Sequence, residues 1–267
     1  MTTLETQKQF LKDKKSYNFD DLLLIVQILR SPNGCPWDKV QTHQSLRANC
    51  IEEAYELVDA INKNDSSSIK EELGDLLLQC ALHSQIASEN NEFNFNDVCA
   101  TLCNKLISRH SHVFGQDCAD SESSALDVWN KNKLIEHSYS TYAQHLKQVP
   151  LTTPSLMRAY KVQSRASKVG LDFSNVNQAI SKVKEELAEV IDADTLQREE
   201  ELGDLLFAVV NVFRFFKTDP EVALGKAIDK FINRFSYIEQ TLAGNDKSFA
   251  QVSAEELDVL WNEAKHK

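Results

Sequence analysis

The heptapeptide EELGDLL occurs twice in this chain of 267 residues, at Glu71–Leu77 and at Glu200–Leu206, once in each half. Two further pairs of segments match in the same order: NKLISRHSHV at 104–113 with DKFINRFSYI at 229–238, and DVWN at 127–130 with DVLWN at 258–262. One shared heptapeptide could arise by chance, but several ordered matches indicate repeated structural units. The sequence therefore predicts an internal duplication.

Glycine and proline are scarce, with seven and five residues, and long stretches contain neither. This composition favours an all-α fold. Apolar periodicity predicts helices near 20–29, 46–62, 69–88 and 95–112 in the first half, and near 156–168, 179–192, 197–216 and 220–242 in the second. The same order of elements in both halves predicts two tandem helical domains.

A change of composition separates the two halves. The polar stretch EHSYSTYAQH is followed by Pro150 and Pro154, and proline disfavours helix at its own position and at the one before it. We therefore predict an N-terminal domain at 1–137, a linker at 138–154 and a C-terminal domain at 155–267.

Overall charge and cysteine usage limit the classes of ligand and the cellular compartment that the sequence predicts. The net charge of −11 argues against a general nucleic-acid or anionic-membrane surface, although it permits a small anionic ligand that metal ions and local basic residues bind. The six cysteines form no CxxC pair, no signal peptide is evident, and the longest apolar stretch, LLFAVVNVF, is too short to cross a bilayer. These features predict a cytoplasmic protein.

Each half carries two acidic motifs on segments predicted to be helical, EExxE followed by ExxD. The carboxylates concerned are Glu52, Glu53, Glu56, Glu72 and Asp75 in the first half, and Glu185, Glu186, Glu189, Glu201 and Asp204 in the second. Side chains three or four positions apart share a helix face, with Cβ atoms about 5–6 Å apart. If the two helices of a half pack antiparallel, their acidic faces converge.

A solvated acidic face is the ordinary alternative for a single motif of this kind. Recurrence of the pair favours a cation site, because carboxylates about 5 Å apart repel by a few kcal/mol unless positive charge lies between them. Asp204 is also predicted to lie at a partly buried boundary, since a strongly apolar stretch follows it. Oxygen ligands without ExxH or clustered cysteine indicate Mg²⁺, with Mn²⁺ as an alternative, rather than di-iron or zinc.

The two motif glycines, Gly74 and Gly203, lie inside predicted helices. Glycine in a helix costs about 1 kcal/mol relative to alanine. We predict that the missing Cβ lets a neighbouring helix or a ligand approach the backbone between the metal-binding side chains.

Basic and aromatic residues recur after each acidic pair. The matching residues are Lys105 and Lys230, Arg109 and Arg234, and Trp129 and Trp261. Two interpretations stay open: salt-bridge and packing residues, or a phosphate clamp with an indole that stacks on a nucleobase. His110 and His112 are matched by other aromatic residues in the second half, so we predict a packing or rim role for them rather than metal ligation.

These motifs together support a resemblance. GCPWDKVQTHQSL, EEAYE, EELGD and the Lys/Arg helix, then RASKVGLDF, EELAE, EELGD and a late tryptophan, resemble the MazG family of tandem-domain bacterial nucleoside triphosphate pyrophosphohydrolases. The resemblance covers about residues 20–265. It implies an all-α fold whose site-bearing helical bundles are completed by homodimerisation. It also implies Mg²⁺-dependent hydrolysis of NTPs and dNTPs to the monophosphate and pyrophosphate.

The resemblance also implies residue roles. The metal ligands would be Glu186, Glu189, Glu201 and Asp204 in the second half, and Glu53, Glu56, Glu72 and Asp75 in the first. Lys230 and Arg234 would hold the phosphates, and Trp261 would lie beside the base. Arg198 could substitute in charge for a phosphate-binding lysine that family members often carry. The C-terminal copy would be the better attested catalytic one and the first copy weaker or regulatory. Because all four carboxylates are present in each half, we predict a metal site in both.

For the mechanism, we expect Glu185 or Glu186 to orient or deprotonate the water that attacks the α-phosphorus, while Lys230 and Arg234 neutralise charge on the departing pyrophosphate. Base discrimination should be loose, because an indole stacks on any base. Two alternatives stay open. One is a helical cation-binding or interaction protein without turnover, and the other is a hydrolase acting mainly on alarmone or modified nucleotides.

Overall fold

The computed structural model describes residues 3–137 and 141–267, whose regular secondary structure is entirely helical. The all-α prediction is therefore confirmed. Two compact units form, 1–137 and 138–267, and each is described by itself. Within the described ranges, no helix is long and apolar enough to cross a membrane.

Unit 1 contains seven α-helices in its described residues. They are α1 (Thr3–Asp13), α2 (Phe19–Arg30), α3 (Arg47–Asn62), α4 (Ser66–Glu89), α5 (Phe95–Arg109), α6 (Ser111–Phe114) and α7 (Glu122–His137). The described part of unit 2 contains α8 (Tyr142–Lys147), α9 (Ser155–Ser167), α10 (Val176–Asp192), α11 (Arg198–Phe215), α12 (Pro220–Gly244) and α13 (Ala254–Ala264). Short 3₁₀ turns lie at Asp38–Val40 and Phe249–Gln251.

Local sequence signals set many helix starts. Asn18 and Asp21 form a capping box at α2, the Asp65 carboxylate accepts hydrogen bonds from the first backbone amides of α4, and Asp219 does the same at α12 just before Pro220. Such caps satisfy amides that have no partner inside the helix. The predicted helices accordingly begin and end within a few residues of their observed bounds, with one exception.

The exception is the helix predicted near 95–112, which is broken at His110. Helix α5 ends at Arg109, and the short α6 follows from Ser111. The His110 Nδ1 lies 2.7 Å from the Leu106 carbonyl oxygen, and Asn132 of α7 donates hydrogen bonds to the Arg109 carbonyl and the Ser111 hydroxyl. A side chain of another helix therefore stabilises the break, which the local periodicity could not indicate.

The predicted linker, 138–154, lies partly outside the described residues, because 138–140 are not described. The remainder contains α8, which packs against α9, and Val149 is fully buried. The domain boundaries stay a prediction.

A small apolar core holds the middle of unit 1 together. Val26 of α2, Leu46 before α3, and Ala81, Leu82 and Ile86 of α4 are buried against one another. In unit 2, α9 packs against α11 and α12, and α12 packs against α13. The long hairpins α3–α4 and α10–α11 are the most extensive helix pairs, and they carry the acidic motifs.

The turn GCPWD of unit 1 is fixed by a buried arginine. Arg30 makes a two-bonded ion pair with Glu89 of α4, and its remaining Nη1 donates to the carbonyls of Asp38 and Gln41. At Gly34, a Cβ would lie 2.2 Å from the Leu29 carbonyl oxygen, so only glycine fits against the end of α2.

The segment that leads into α3 is joined to α4 by two imidazoles. The Nδ1 atoms of His43 and His83 are 2.7 Å apart, and the His83 Nε2 lies 3.2 Å from the Cys50 Sγ. Burial, and secondarily His43, lower the pKa of His83 below its usual value of 6.5. The two rings can share one proton at this distance, but two protons would repel.

This contact predicts that unit 1 loses stability in mild acid. Between its usual pKa and its lowered one, the unfolded chain takes up a proton that folded His83 resists, so the free energy of unfolding decreases as pH falls below about 6.5. We expect His83→Phe to flatten the change in unfolding free energy between pH 7.5 and 5.5, measured by urea titration. His266→Phe, at an exposed terminal position, is the control, and equal slopes in both variants would contradict the prediction.

Candidate metal and phosphate site

Both acidic regions are built on helical hairpins. Residues 63–65 connect α3 to α4, and residues 193–197 connect α10 to α11. The helices of unit 1 run antiparallel, because Cys50 contacts the distant His83 while Glu53 lies near Glu72. An antiparallel pair brings the middle of the first helix against the start of the second, where the two acidic motifs lie.

Each hairpin gathers three carboxylates into one cluster. Glu53, Glu56 and Glu72 offer oxygen atoms that all lie within 4.8 Å of one another, and in unit 2 Glu186, Glu201 and Asp204 do the same. Such spacing fits one or two hard cations, since adjacent oxygens around Mg²⁺ are about 3 Å apart given metal–oxygen distances of about 2.1 Å. The donor set is oxygen only, which suits Mg²⁺ or Mn²⁺.

The spacing between motifs differs in the two halves without separating the carboxylates. Glu56 and Glu72 are 16 positions apart, whereas Glu189 and Glu201 are 12 apart. The helix ends account for the difference. Fewer helical residues follow the EExxE motif in α10 than in α3, and fewer precede the ExxD motif in α11 than in α4. Both clusters therefore form between the helix that carries EExxE and the helix that carries ExxD, but the third carboxylate is Glu56 in unit 1 and Asp204 in unit 2.

Electrostatic strain is evident in unit 1. Burial raises the pKa of Glu53, and the nearby charges of Asp75 and Glu56 raise it further. Burial likewise raises the pKa of Glu72, followed by the charges of Glu56 and Asp75. Asp75 thus lies near the cluster, although it is outside the group of three.

In unit 2 a lysine meets the acidic cluster. Lys182 Nζ lies 2.6 Å from a carboxylate oxygen of Glu185 and 2.7 Å from a carboxylate oxygen of Glu186. Glu186 is only 5% exposed. These hydrogen bonds raise the pKa of Lys182. A hydrogen bond with Glu186 raises the pKa of Glu189, which places that carboxyl beside the cluster. The sequence analysis did not identify Lys182, although its position one turn before Glu186 was a usable signal.

Two sequence expectations about this region are wrong. Asp204 is exposed, whereas Glu186 is the buried member of its cluster. The reason is that Leu202, Leu206 and Phe207 on the same part of α11 are themselves exposed. The apolar stretch is therefore not buried here by other helices of the described chain.

At the motif glycines the expectation was a neighbouring helix or a ligand, and of these two alternatives the neighbouring helix is wrong. A Cβ built at Gly74 or at Gly203 would meet no atom within 4 Å. Within the described chain, the backbone at these glycines faces open space, which leaves room for a ligand or a second molecule.

The basic and tryptophan residues meet in pairs in both units. The Arg234 guanidinium lies over the Trp261 ring at 5.4 Å from its centroid, and Arg109 lies over Trp129 at 5.2 Å. The units then differ: Arg109 is only 7% exposed and its Nε donates to Glu136 at 2.7 Å. In the described residues of unit 2, no carboxylate forms an ion pair with Arg234.

The other proposed substrate-binding residues are less engaged. Lys230 is exposed, and Lys105 is partly exposed one turn before Arg109. Arg198 is exposed and donates a hydrogen bond to the Ala193 carbonyl at 3.0 Å, across the hairpin connection. The described structure records no hydrogen bond from these three side chains to the acidic clusters.

Lys182 offers a direct test of charge balance in the metal-free protein. We expect Lys182→Met to lower the free energy of unfolding at low ionic strength, because Glu185 and Glu186 lose their counter-charge. The loss should shrink in high salt. Chemical denaturation measures it, with Lys184→Met on the exposed side of the same helix as the control. A loss no larger than that of the control would contradict the expectation.

Comparison with known proteins identifies the family. The model of the MazG nucleotide pyrophosphohydrolase domain matches residues 41–114 and 174–238, which contain both hairpins. A nucleoside triphosphate pyrophosphohydrolase of Escherichia coli (strain K12) is 40% identical over 253 residues, covering 92% of this chain and 96% of that protein. A nucleoside triphosphate pyrophosphohydrolase/pyrophosphatase MazG of Thermotoga maritima is 42% identical over 248 residues, covering 92% and 95%. The resemblance drawn from the motifs is confirmed, and the chain belongs to the MazG family of nucleotide pyrophosphohydrolases, with the domain present twice.

Proposed function

We propose that the protein hydrolyses nucleoside triphosphates, both NTPs and dNTPs, to the monophosphate and pyrophosphate in a Mg²⁺-dependent reaction. The observation that carries the proposal is the convergence of three carboxylates on each hairpin, within the matched family domains. The names of the relatives from Escherichia coli and Thermotoga maritima support the substrate class.

The carboxylates of unit 2 are proposed to have two roles, metal binding and activation of water, and Glu186 can serve in either. Glu186, Glu189, Glu201 and Asp204 would hold Mg²⁺, as Glu53, Glu56, Glu72 and Asp75 would in unit 1. When bound, Mg²⁺ neutralises triphosphate charge and makes the α-phosphorus more electrophilic. Glu185 lies beside Glu186 on the shared Lys182 contact. Either glutamate can orient the attacking water and accept its proton.

The basic residues of α12 act at the other end of the substrate. Lys230 and Arg234 would neutralise the charge that develops on departing pyrophosphate, with Arg198 adding a positive charge near the hairpin. Stacking of Arg234 on Trp261 pre-orients both groups. An indole selects a planar ring rather than a particular base, so this unit should discriminate weakly between bases.

The two units are expected to differ in turnover. Arg109 is buried and paired with Glu136, so its charge is already partly neutralised before a phosphate arrives. Arg234 has no such carboxylate partner in the described structure. We therefore assign the main activity to unit 2, with unit 1 weaker.

The proposed setting is cytoplasmic. All six cysteines are free thiols, and the net charge of −11 favours a small anionic substrate over nucleic acid. Two other functions compete with the proposal: a cation-binding or interaction protein without turnover, and a hydrolase acting mainly on alarmone or modified nucleotides.

The first test resolves reaction products. Incubation with Mg²⁺ and each NTP or dNTP should release the monophosphate and pyrophosphate in equal amounts, resolved by ion-exchange chromatography. Orthophosphate without pyrophosphate would contradict attack at the α-phosphorus. Absence of turnover supports the cation-binding alternative, and faster hydrolysis of alarmone or modified nucleotides supports the other.

Matched variants measure how much of the turnover each unit contributes. We expect Glu201→Gln to lower kcat by about 100-fold or more, because an uncharged amide is a poor Mg²⁺ ligand, and Glu72→Gln to have a smaller effect. Glu92→Gln, an exposed substitution outside both hairpins, should leave kcat unchanged. Unchanged turnover in both cluster variants would remove the clusters from the mechanism.

A homodimer would complete the open face of unit 2. Leu202, Leu206 and Phe207 are exposed on α11, and a further exposed apolar row follows α12 at Leu224, Ile228, Phe231, Ile232 and Phe235. Contiguous apolar surface of this kind usually marks an interface. Gly203 adds open backbone on the same stretch, so a second copy can approach closely there.

The proposed interface predicts a change in assembly. Leu206→Glu buries an unpaired charge in the interface and should raise the dimer dissociation constant by about tenfold or more. Sedimentation equilibrium measures the constant. Leu196→Glu, exposed on the hairpin connection, is the control. A monomeric native chain would refute the homodimer.

A further inference from the structure

A cavity of about 370 Å³ lies beside α7 in unit 1. Its walls are His110, His112, Glu122, Ala125, Leu126 and Trp129. The volume falls in the range of about 300–1,000 Å³ that small-molecule sites occupy. The break between α5 and α6 lies at this cavity, because His110 at the break and His112 in α6 both line it. The two histidines, for which a packing or rim role was predicted, thus lie on the wall of a cavity.

We propose that this cavity binds the base of a guanine nucleotide, so that unit 1 is a base-selective nucleotide site. The inference rests on the proposed function, because it takes nucleotides as the ligands of this fold. It adds a selectivity that unit 2 lacks.

A residue that lines the cavity carries a buried hydrogen-bonding atom without a partner. The Nδ1 of His112 is buried and makes no hydrogen bond with the described protein. A buried polar atom without a partner is unfavourable, so a ligand that supplies one is favoured. Rotation of the His112 ring about its Cβ–Cγ bond would turn Nδ1–H toward the cavity, where it can donate to an acceptor such as O6 or N7 of guanine.

Glu122 supplies the complementary acceptor. Its side chain is exposed on the cavity rim, and the described structure gives it no hydrogen-bond or ion-pair partner. A carboxylate accepts hydrogen bonds only, and its two oxygens match two adjacent donors. Guanine presents such a pair, N1–H and the N2 amino group. Adenine offers a single amino group, and uracil flanks its one N–H with two carbonyl oxygens that a carboxylate repels.

Cationic groups accompany the indole of the cavity. Arg109 lies 5.2 Å and the Lys133 Nζ 4.9 Å from the centre of the Trp129 ring. Positive charge near the cavity favours a ligand with phosphates attached to its base. Because Glu136 partly neutralises Arg109, the affinity of this site depends more on contacts with the base than on the phosphates.

The corresponding part of unit 2 lacks these base-reading groups. Phe235 and Tyr237 stand where unit 1 has His110 and His112, and neither Ser253 nor Ala254, the positions matching Glu122, is acidic. Helix α12 also continues without a break to Gly244. The duplicated units thus differ at the residues that would distinguish one base from another.

Binding to the full chain tests the proposal. Arg234→Ala and Trp261→Ala weaken the site in unit 2, and isothermal titration then measures the α,β-methylene analogues of GTP, ATP and UTP in Mg²⁺. We expect the guanosine analogue to bind about tenfold more tightly than the adenosine analogue, with the uridine analogue weakest. Adding Glu122→Gln should weaken guanosine binding about tenfold, because an amide nitrogen replaces one acceptor.

The control and outcomes are specific to the cavity. Asp127→Asn removes the same charge from α7 outside the cavity lining and should leave guanosine affinity within about twofold. Equal affinities for the three analogues, no binding, or an equal loss for all three in Glu122→Gln would each overturn the proposal. Release of pyrophosphate by the native chain, measured in parallel, tests the proposed function separately, since turnover without guanine preference refutes only this inference.

Discussion

Three carboxylates of each unit place oxygen atoms within 4.8 Å of one another, and like charges at this separation repel unless positive charge lies between them. The hairpins α3–α4 and α10–α11 hold these groups together in spite of the repulsion. Burial raises the pKa of Glu53 and Glu72, and neighbouring carboxylates raise it further, so the charged forms of both groups are disfavoured in the folded protein. An arrangement that is unfavourable without a cation is suited to binding one.

The two units respond to the same constraint in different ways. In unit 2, Lys182 supplies positive charge from within the helix that carries Glu185 and Glu186. The corresponding position of unit 1 is Asn49, so its cluster has no such lysine. Both arginines lie over a tryptophan, but Arg109 is also paired with Glu136, whereas no carboxylate among the described residues forms an ion pair with Arg234. The two clusters thus share the matching pairs Glu53 with Glu186 and Glu72 with Glu201, but they differ in the third carboxylate and in their surroundings.

Local patterns predicted much of the architecture. The eight long helical segments follow from apolar periodicity and scarce glycine, and their starts follow from caps such as Asn18 and Asp219. Helices α1, α7, α8 and α13 were not predicted. Helices α1, α8 and α13 are short, with at most 11 residues, and the apolar residues of α7 follow only a weak helical period. The break at His110 was missed for another reason, since Asn132 of α7 stabilises it from a distant part of the sequence.

The duplication, the helical class and the oxygen-only set of candidate ligands were predictable, because they depend on residue type and on spacing along one helix. Three other features became evident from the folded units alone: Glu186 is buried while Asp204 is exposed, Gly74 and Gly203 face open space, and Arg109 has a carboxylate partner. Burial, open space and ion pairing are properties of what surrounds a side chain. They arise where distant segments meet, and spacing along the chain does not specify that meeting.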